Sequence, residues 1–161
     1  MIQALFALLA FVALLALATS GRGTATDSSI LQYVLGKAAY TVPAGCYAAL
    51  FSTTPTADNG TFTELITGTS PAYTRATIDA ANAAAAWSAT TTDATGVWKT
   101  NAAAITFPTA TGGWLAATGF GIYDASTVGV LLYWGTFGSA STVGSGATAS
   151  FAIGALKVTE A

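Results

Sequence analysis

Short runs of aromatic and β-branched residues, each closed off by Gly, Pro, Asn, Asp or Ser, recur from residue 46 to the end of the chain: "CYAALFS", "FTELI", "AYTRATI", "AITFP", "TGFGIYD", "GVLLYWGTF", "ATASFAI" and "ALKVT". Such runs are the length of strands, and the turn residues between them are those of hairpins rather than of helical crossovers. The pattern predicts a mainly β fold, an antiparallel β-sandwich of jelly-roll-like kind, in preference to a parallel α/β sheet.

Two turns carry most of that reading. In "TADNGTF", Asn59 and Gly60 adopt the positive φ of a tight hairpin at low cost. In "YDASTVGVLLYWG", Asp124, Ser126 and Gly129 separate an apolar strand from a long apolar run, which predicts an antiparallel hairpin near the centre of a sheet. The stretch "DAANAAAAWSATTTDATGVWKTNAAA" is mixed, because Ala favours helix while Thr and aromatic residues favour strand. It is read as a strand through Trp87, a loop from Thr92 to Gly96, and a second strand from about Val97.

Ahead of the strands, "DSSILQYVLGKAAY" predicts one short amphipathic helix of roughly two turns. Ile30, Leu31, Val34 and Leu35 recur at helical spacing, a Ser or Asp is available to cap the start, and Gly36 followed by Lys37 reads as the stop. Earlier still, every residue from Ala4 to Ala18 is apolar. The organisation expected is an apolar N-terminal helix over residues 1–20, a small polar linker over 21–26 and a β domain over 27–161.

The apolar run admits three roles. As a signal peptide it has an "ALA" at Ala16, Leu17 and Ala18 suited to cleavage, but no positive residue before it. As a membrane span it is short, since fifteen helical residues reach only roughly 22 Å against roughly 30 Å of bilayer core. As architecture, Leu5, Leu8, Val12 and Leu15 repeat at intervals of three and four, the seam expected where copies of one helix bundle together. A retained oligomerisation or docking helix is the reading adopted, with the other two as alternatives.

Composition narrows the function classes. The 161 residues include 7% charged and 53% hydrophobic side chains, with a net charge of -2. A free monomer normally keeps itself soluble with a charged, mixed-sign surface, so this chain suits one that buries surface in an assembly. The 5 Lys and Arg residues are scattered, leaving no basic patch for nucleic acid. With no histidine and a single cysteine, Cys46, intramolecular disulfides, the common zinc spacings and the usual base for a Ser or Cys nucleophile are all missing. Cys46 reads as a small buried hydrophobe. Asp58, Asp93 and Asp124 sit beside Asn, Gly, Ala or Ser in turn contexts, which explains them without acid-base chemistry. The "GGW" at Gly112 and Gly113 lacks the Lys and Ser or Thr of a phosphate loop. No catalytic residue, metal site or cofactor is therefore expected.

The blocks "YAALFSTTPT", "AYTRATI", "NAAAITFPTAT", "GFGIYDASTVGVLLYWG" and "VGSGATASFAIGALKVT", in that order and with the "LQYVLGK" helix ahead of them, resemble small virion proteins of tailed bacteriophages that are commonly labelled tail fibre proteins. The resemblance covers about residues 27–161 and implies a structural or attachment module of a phage particle, located in the virion, with no enzymatic activity. The expected partners are further copies of the chain, a trimer being one arrangement, and other virion proteins of the capsid, portal or tail. The apolar N-terminus departs from the family pattern, which begins near the short helix.

A few residues stand out as contact candidates. Arg75 is one of few charges and could pair with Asp79, Asp124 or Glu64, or lie at a subunit contact. Trp98, Trp114 and Trp134 are read as core or interface packing, with a flat platform for a host-surface glycan as the alternative. Gly119 and Gly121 alternate with Phe120 and Ile122, leaving one strand face bare for a close neighbour. Two other function classes stay open: a carbohydrate-binding receptor module, marked by an exposed tryptophan row, and a secreted bacterial surface protein, marked by cleavage after Ala18.

Overall fold

The computed structural model describes residues 20–55, 62–79, 84–94 and 96–160. The fold is mainly antiparallel β with one α-helix. In chain order it runs β1 (Ser20–Arg22), α1 (Thr24–Val34), β2 (Cys46–Phe51), β3 (Ala76–Asp79), β4 (Thr91–Asp93), β5 (Gly96–Thr100), β6 (Ile105–Thr109), β7 (Ala117–Tyr123), β8 (Leu131–Ser141), β9 (Thr148–Phe151) and β10 (Lys157–Glu160). The strands make a 5-stranded sheet of order β1-β8-β7-β2-β3, a 3-stranded sheet β10-β5-β4 and a 2-stranded sheet β6-β9.

The hairpin expected at Asp124 to Gly129 forms and holds the centre of the large sheet, as β7 and β8. Its turn follows the side chains there: the backbone N–H of Val130 donates to Asp124 Oδ1 at 2.6 Å, and Gly129 takes φ +74. On its other side β7 pairs with β2 in the register Ala48↔Ile122, Ala49↔Gly121, Leu50↔Phe120 and Phe51↔Gly119. One face of this ribbon therefore carries Ala48, Leu50, Phe120 and Ile122, which join Ile105, Phe107, Phe151 and Leu156 of the two smaller sheets and their loops in the main core. The opposite face carries Ala49, Phe51, Tyr123 and Trp134, a second and smaller cluster.

The bare face at Gly119 and Gly121 is what lets those aromatics in. A Cβ on Gly121 would stand 2.5 Å from Phe51 Cζ, and one on Gly119 would stand 2.6 Å from both the Gly135 carbonyl and Pro55. The close neighbour is thus the protein itself. Each fully buried Phe or Leu of this sheet contributes about 1.5–3 kcal/mol by leaving water, and β2 is enclosed on both faces from Ala48 to Phe51.

Several local expectations are corrected. Residues 21–26 carry backbone structure where a linker was expected. β1 pairs with β8 through Ser20↔Gly135, Gly21↔Trp134 and Arg22↔Tyr133, and α1 is already under way at Thr24. The helix is capped by Gly23 in an extended conformation with no side-chain cap, because Gly23 lies against the Leu131 carbonyl where a Cβ would collide. Gly36 at φ +72 ends it as expected, its N–H donating to the Tyr33 carbonyl. The spacing of Leu31, Val34 and Leu35 does not report a packed face: they are 59%, 69% and 70% exposed, and Thr26 is the buried residue of α1.

"FTELI" forms an isolated bridge, Phe51↔Glu64, in place of a strand. Around Trp87 there is a short 3-10 turn and a bridge to Asn101, and the segment after it makes the β4–β5 hairpin. Asp58, Asn59 and Gly60 lie outside the described residues, as does the apolar run with Leu5, Leu8, Val12 and Leu15.

Candidate functional site

Arg75 precedes β3 and makes a clamp. Its Nε donates to Glu64 Oε1 at 2.9 Å and its Nη2 to Glu64 Oε2 at 2.7 Å, the two-pronged geometry that Arg shares with carboxylates. Nη1 donates to the carbonyls of Ala125 and Val128, both at 2.7 Å, so the guanidinium also ties down the β7–β8 turn. The group lies 3.5 Å from the centre of the Tyr123 ring. Burial alone would favour losing the Arg75 proton, but the hydrogen bond and charge of Glu64 outweigh it and hold the guanidinium's pKa above its ordinary value. Of the three carboxylates considered, Glu64 is the partner, and with its side chain 7% exposed Arg75 has little to offer a ligand.

Trp114 and Trp134 are 5% and 6% exposed and act in packing. Trp114 stands edge-on to Tyr73 and Phe107, and its Nε1 donates to the Pro71 carbonyl at 2.8 Å. Trp134 faces Gly21 across the β1–β8 pair, with its Nε1 enclosed and without a hydrogen-bond partner. The tryptophans form no exposed row.

Trp98 is different. It is half-buried on β5, its Nε1 donates to Asp93 Oδ2 at 2.7 Å across the β4–β5 hairpin, and Lys157 Nζ on β10 lies 4.4 Å from its ring centre. It lines a groove of about 490 Å³ between the main-core face of the large sheet and the β10-β5-β4 sheet. Tyr40, Trp87 and Tyr133 supply the other rings of that groove, and Lys99 and Glu160 its charges. Glu160 is held by Arg22, whose Nη1 lies 2.9 Å from Oε2. Glu160 Oε1 is enclosed, and the carboxylate accepts a hydrogen bond from the Tyr133 hydroxyl. Burial, then the hydrogen bond to Glu160 and that carboxylate's charge, push the Tyr133 hydroxyl's pKa up, so it stays protonated.

Cys46 also lines the groove, and burial followed by the charges of Asp79 and Asp124 raises its thiol to about 11. That is the opposite of what a nucleophile needs. Asp93 and Asp124 receive the Trp98 and Val130 bonds already described. Among the described residues no group of three or more His, Cys, Asp or Glu is placed to hold a metal ion, and no helix is long and apolar enough to cross a membrane.

The groove is not legible as a site: of its residues the sequence marks only Trp98 as a contact candidate and Cys46 as a small buried hydrophobe. Tyr40, Trp87, Tyr133 and Glu160 come from four distant segments, and no spacing rule links them.

A family model described as Podophage GP4 fiber I protein gp80 matches residues 22–159. The match begins within β1 and ends within β10, so it takes in all three sheets and α1. No curated protein matches the chain. The chain belongs to the Podophage GP4 fiber I protein gp80 family.

Proposed function

We propose that the chain is a non-enzymatic structural protein of a phage virion, a tail fibre or particle decoration component that oligomerises and docks to capsid, portal or tail through its N-terminal segment. The observation that carries this reading is the fibre-family match over residues 22–159. Two features support the assembly part. The helix next to the apolar run leaves Leu31, Tyr33, Val34 and Leu35 mostly in water, and contiguous exposed apolar surface is a mark of interaction sites. The family match also leaves the apolar run outside it, consistent with a separate docking role for Leu5, Leu8, Val12 and Leu15. The fold's role is then to present surfaces rigidly, and the shared core of the large sheet with the two smaller ones supports the sandwich reading.

Intact-protein mass spectrometry of purified particles tests it. A chain found in particles and beginning at Met1 supports the reading. A chain that begins at Thr19, or that is absent from particles and recovered outside the cell, overturns it in favour of a secreted protein. For the assembly surface, Leu31→Ser with Val34→Ser is expected to shift the purified chain toward monomer in light scattering.

A second reading, recognition of a host-surface glycan, is favoured by one observation: the groove is walled by the rings of Tyr40, Trp87, Trp98 and Tyr133.

A further inference from the structure

We infer that the tip of the β7–β8 turn is a contact surface for a second copy of this chain, with Val128 entering the groove between that copy's large sheet and its β10-β5-β4 sheet. The inference goes beyond the N-terminal docking proposed above and rests on that reading only in taking the chain to be oligomeric.

The turn is built to hold an apolar side chain out in water. Val128 is 86% exposed and sits at φ +55, a conformation that is costly for a β-branched residue. Gly129, next to it at φ +74, shows the residue that such backbone ordinarily takes. Three bonds enforce the shape: Arg75 Nη1 donates to the Ala125 and Val128 carbonyls, and the Val130 N–H donates to Asp124 Oδ1. Arg75 is itself fixed by both oxygens of Glu64. Strain of this kind persists only where the surroundings over-determine it, and it gathers at functional sites. With Val130 40% exposed nearby, the tip is a rigid apolar knob that has little freedom to lose on contact.

The same surface offers the matching hole. The groove of about 490 Å³ is walled by Tyr40, Val97, Tyr133 and Val158, and Val97 is 42% exposed. Ile122 and Leu132 also line it, and they stand two positions before Asp124 and two after Val130, so knob and hole adjoin at one end of the ribbon. A surface that carries both can pair with its own kind, each copy giving a knob and receiving one. The charges agree with this occupant. At the tip Glu64 cancels Arg75, and Asp124 makes no ion pair among the described residues. In the groove Arg22 holds Glu160, and Lys99 makes no ion pair among the described residues. Seating the knob brings the carboxylate of one copy toward the ammonium of the other.

The test uses the full-length chain alone. Wild type is expected to associate with rising concentration in light scattering, and Val128→Asn to weaken that association by about tenfold while raising the melting temperature. A substitution that stabilises the fold and loses the contact marks a residue kept for binding, and a merely structural Val128 would not give that pair of changes. In a Cys46→Ala background, a Val128→Cys chain mixed with a Val97→Cys chain is expected to form a disulfide-linked dimer on mild oxidation, well above either chain alone. An oligomer that Val128→Asn leaves unchanged, or a mixture no more cross-linked than its components, overturns the inference, whether the groove then holds a glycan or nothing. A monomeric wild type overturns it together with the oligomer reading. An oligomer that responds to Leu31→Ser with Val34→Ser and not to Val128→Asn overturns this inference alone.

Discussion

The two faces of the β7–β8 ribbon handle polar groups in opposite ways. On the Tyr123 face, Arg75 makes four hydrogen bonds to Glu64, Ala125 and Val128 and stacks on an aromatic ring, so the charge is closed in by its own chain. On the face of Ile122 and Tyr133, Glu160 is tied to Arg22 and to the Tyr133 hydroxyl at the wall of the groove, with its side chain 36% exposed. Both charges are fasteners, but the first is sealed inside the fold and the second stays at its surface. Counting charged residues in a sequence cannot tell these apart. Their surroundings in the fold can.

The sharpest way to break this contrast is Arg75→Ala. It removes the fastener and leaves the partly buried Glu64 with only the Tyr73 hydroxyl donating to it, a change that approaches the about 3–5 kcal/mol lost when a buried pair is broken. A thermal melt is expected to show a larger loss for this substitution than for Gly121→Ala. Gly121→Ala attacks the same face by volume. Phe51 is fully enclosed and cannot move away from the new methyl, so a loss of about 1–3 kcal/mol is expected in denaturant titration.

Relief on the closed face is also expected. Val128 sits at φ +55 while 86% exposed, a left-handed conformation that is costly for a β-branched residue, and it is held there by the Arg75 bond to its carbonyl. Val128→Asn is expected to stabilise the protein by about 1 kcal/mol, raising the melting temperature by a few degrees.

The smallest effect concerns the open face and is read against pH. Cys46 has its thiol raised from 9.0 to about 11 by burial and by Asp79 and Asp124, so the unfolded chain loses that proton first. The stability it contributes is complete below about pH 9 and falls as pH rises toward about 11. The raised hydroxyls of Tyr73, Tyr123 and Tyr133 act in the same direction at higher pH. Cys46→Ala is expected to flatten the alkaline slope between those limits, and native Cys46 to react with iodoacetamide at pH 8 at least tenfold more slowly than in denaturant.

How far the sequence is legible follows from which interactions are local. The β7–β8 hairpin is, because Asp124 and Gly129 carry the turn chemistry within a few residues of the bonds they make. Arg75 is legible as a charge seeking a partner. Which of three carboxylates it takes depends on the bridge that brings Glu64 beside β2. β1 is not legible, since "SGR" has no alternation to read and its place is set by backbone pairing with β8 and by the slot that Gly21 leaves for Trp134. α1 is legible as a helix but not as an exposed one, because periodicity reports where apolar side chains point and not what covers them. Trp114, Trp134 and Trp98 look alike in sequence, and only the packing separates two core rings from one groove ring.

The Arg22 link ties the beginning of the described chain to its end. Its guanidinium joins β1 to Asp27 at the start of α1 and to Glu160 at the close of β10. If the particle holds this protein by the residues ahead of Ser20, tension enters at β1, where three residue pairs with β8 and these two carboxylates take it up. One of those carboxylates is a wall of the groove. Load applied at the anchor would then reach β10, and through it the β10-β5-β4 sheet, by that one side chain.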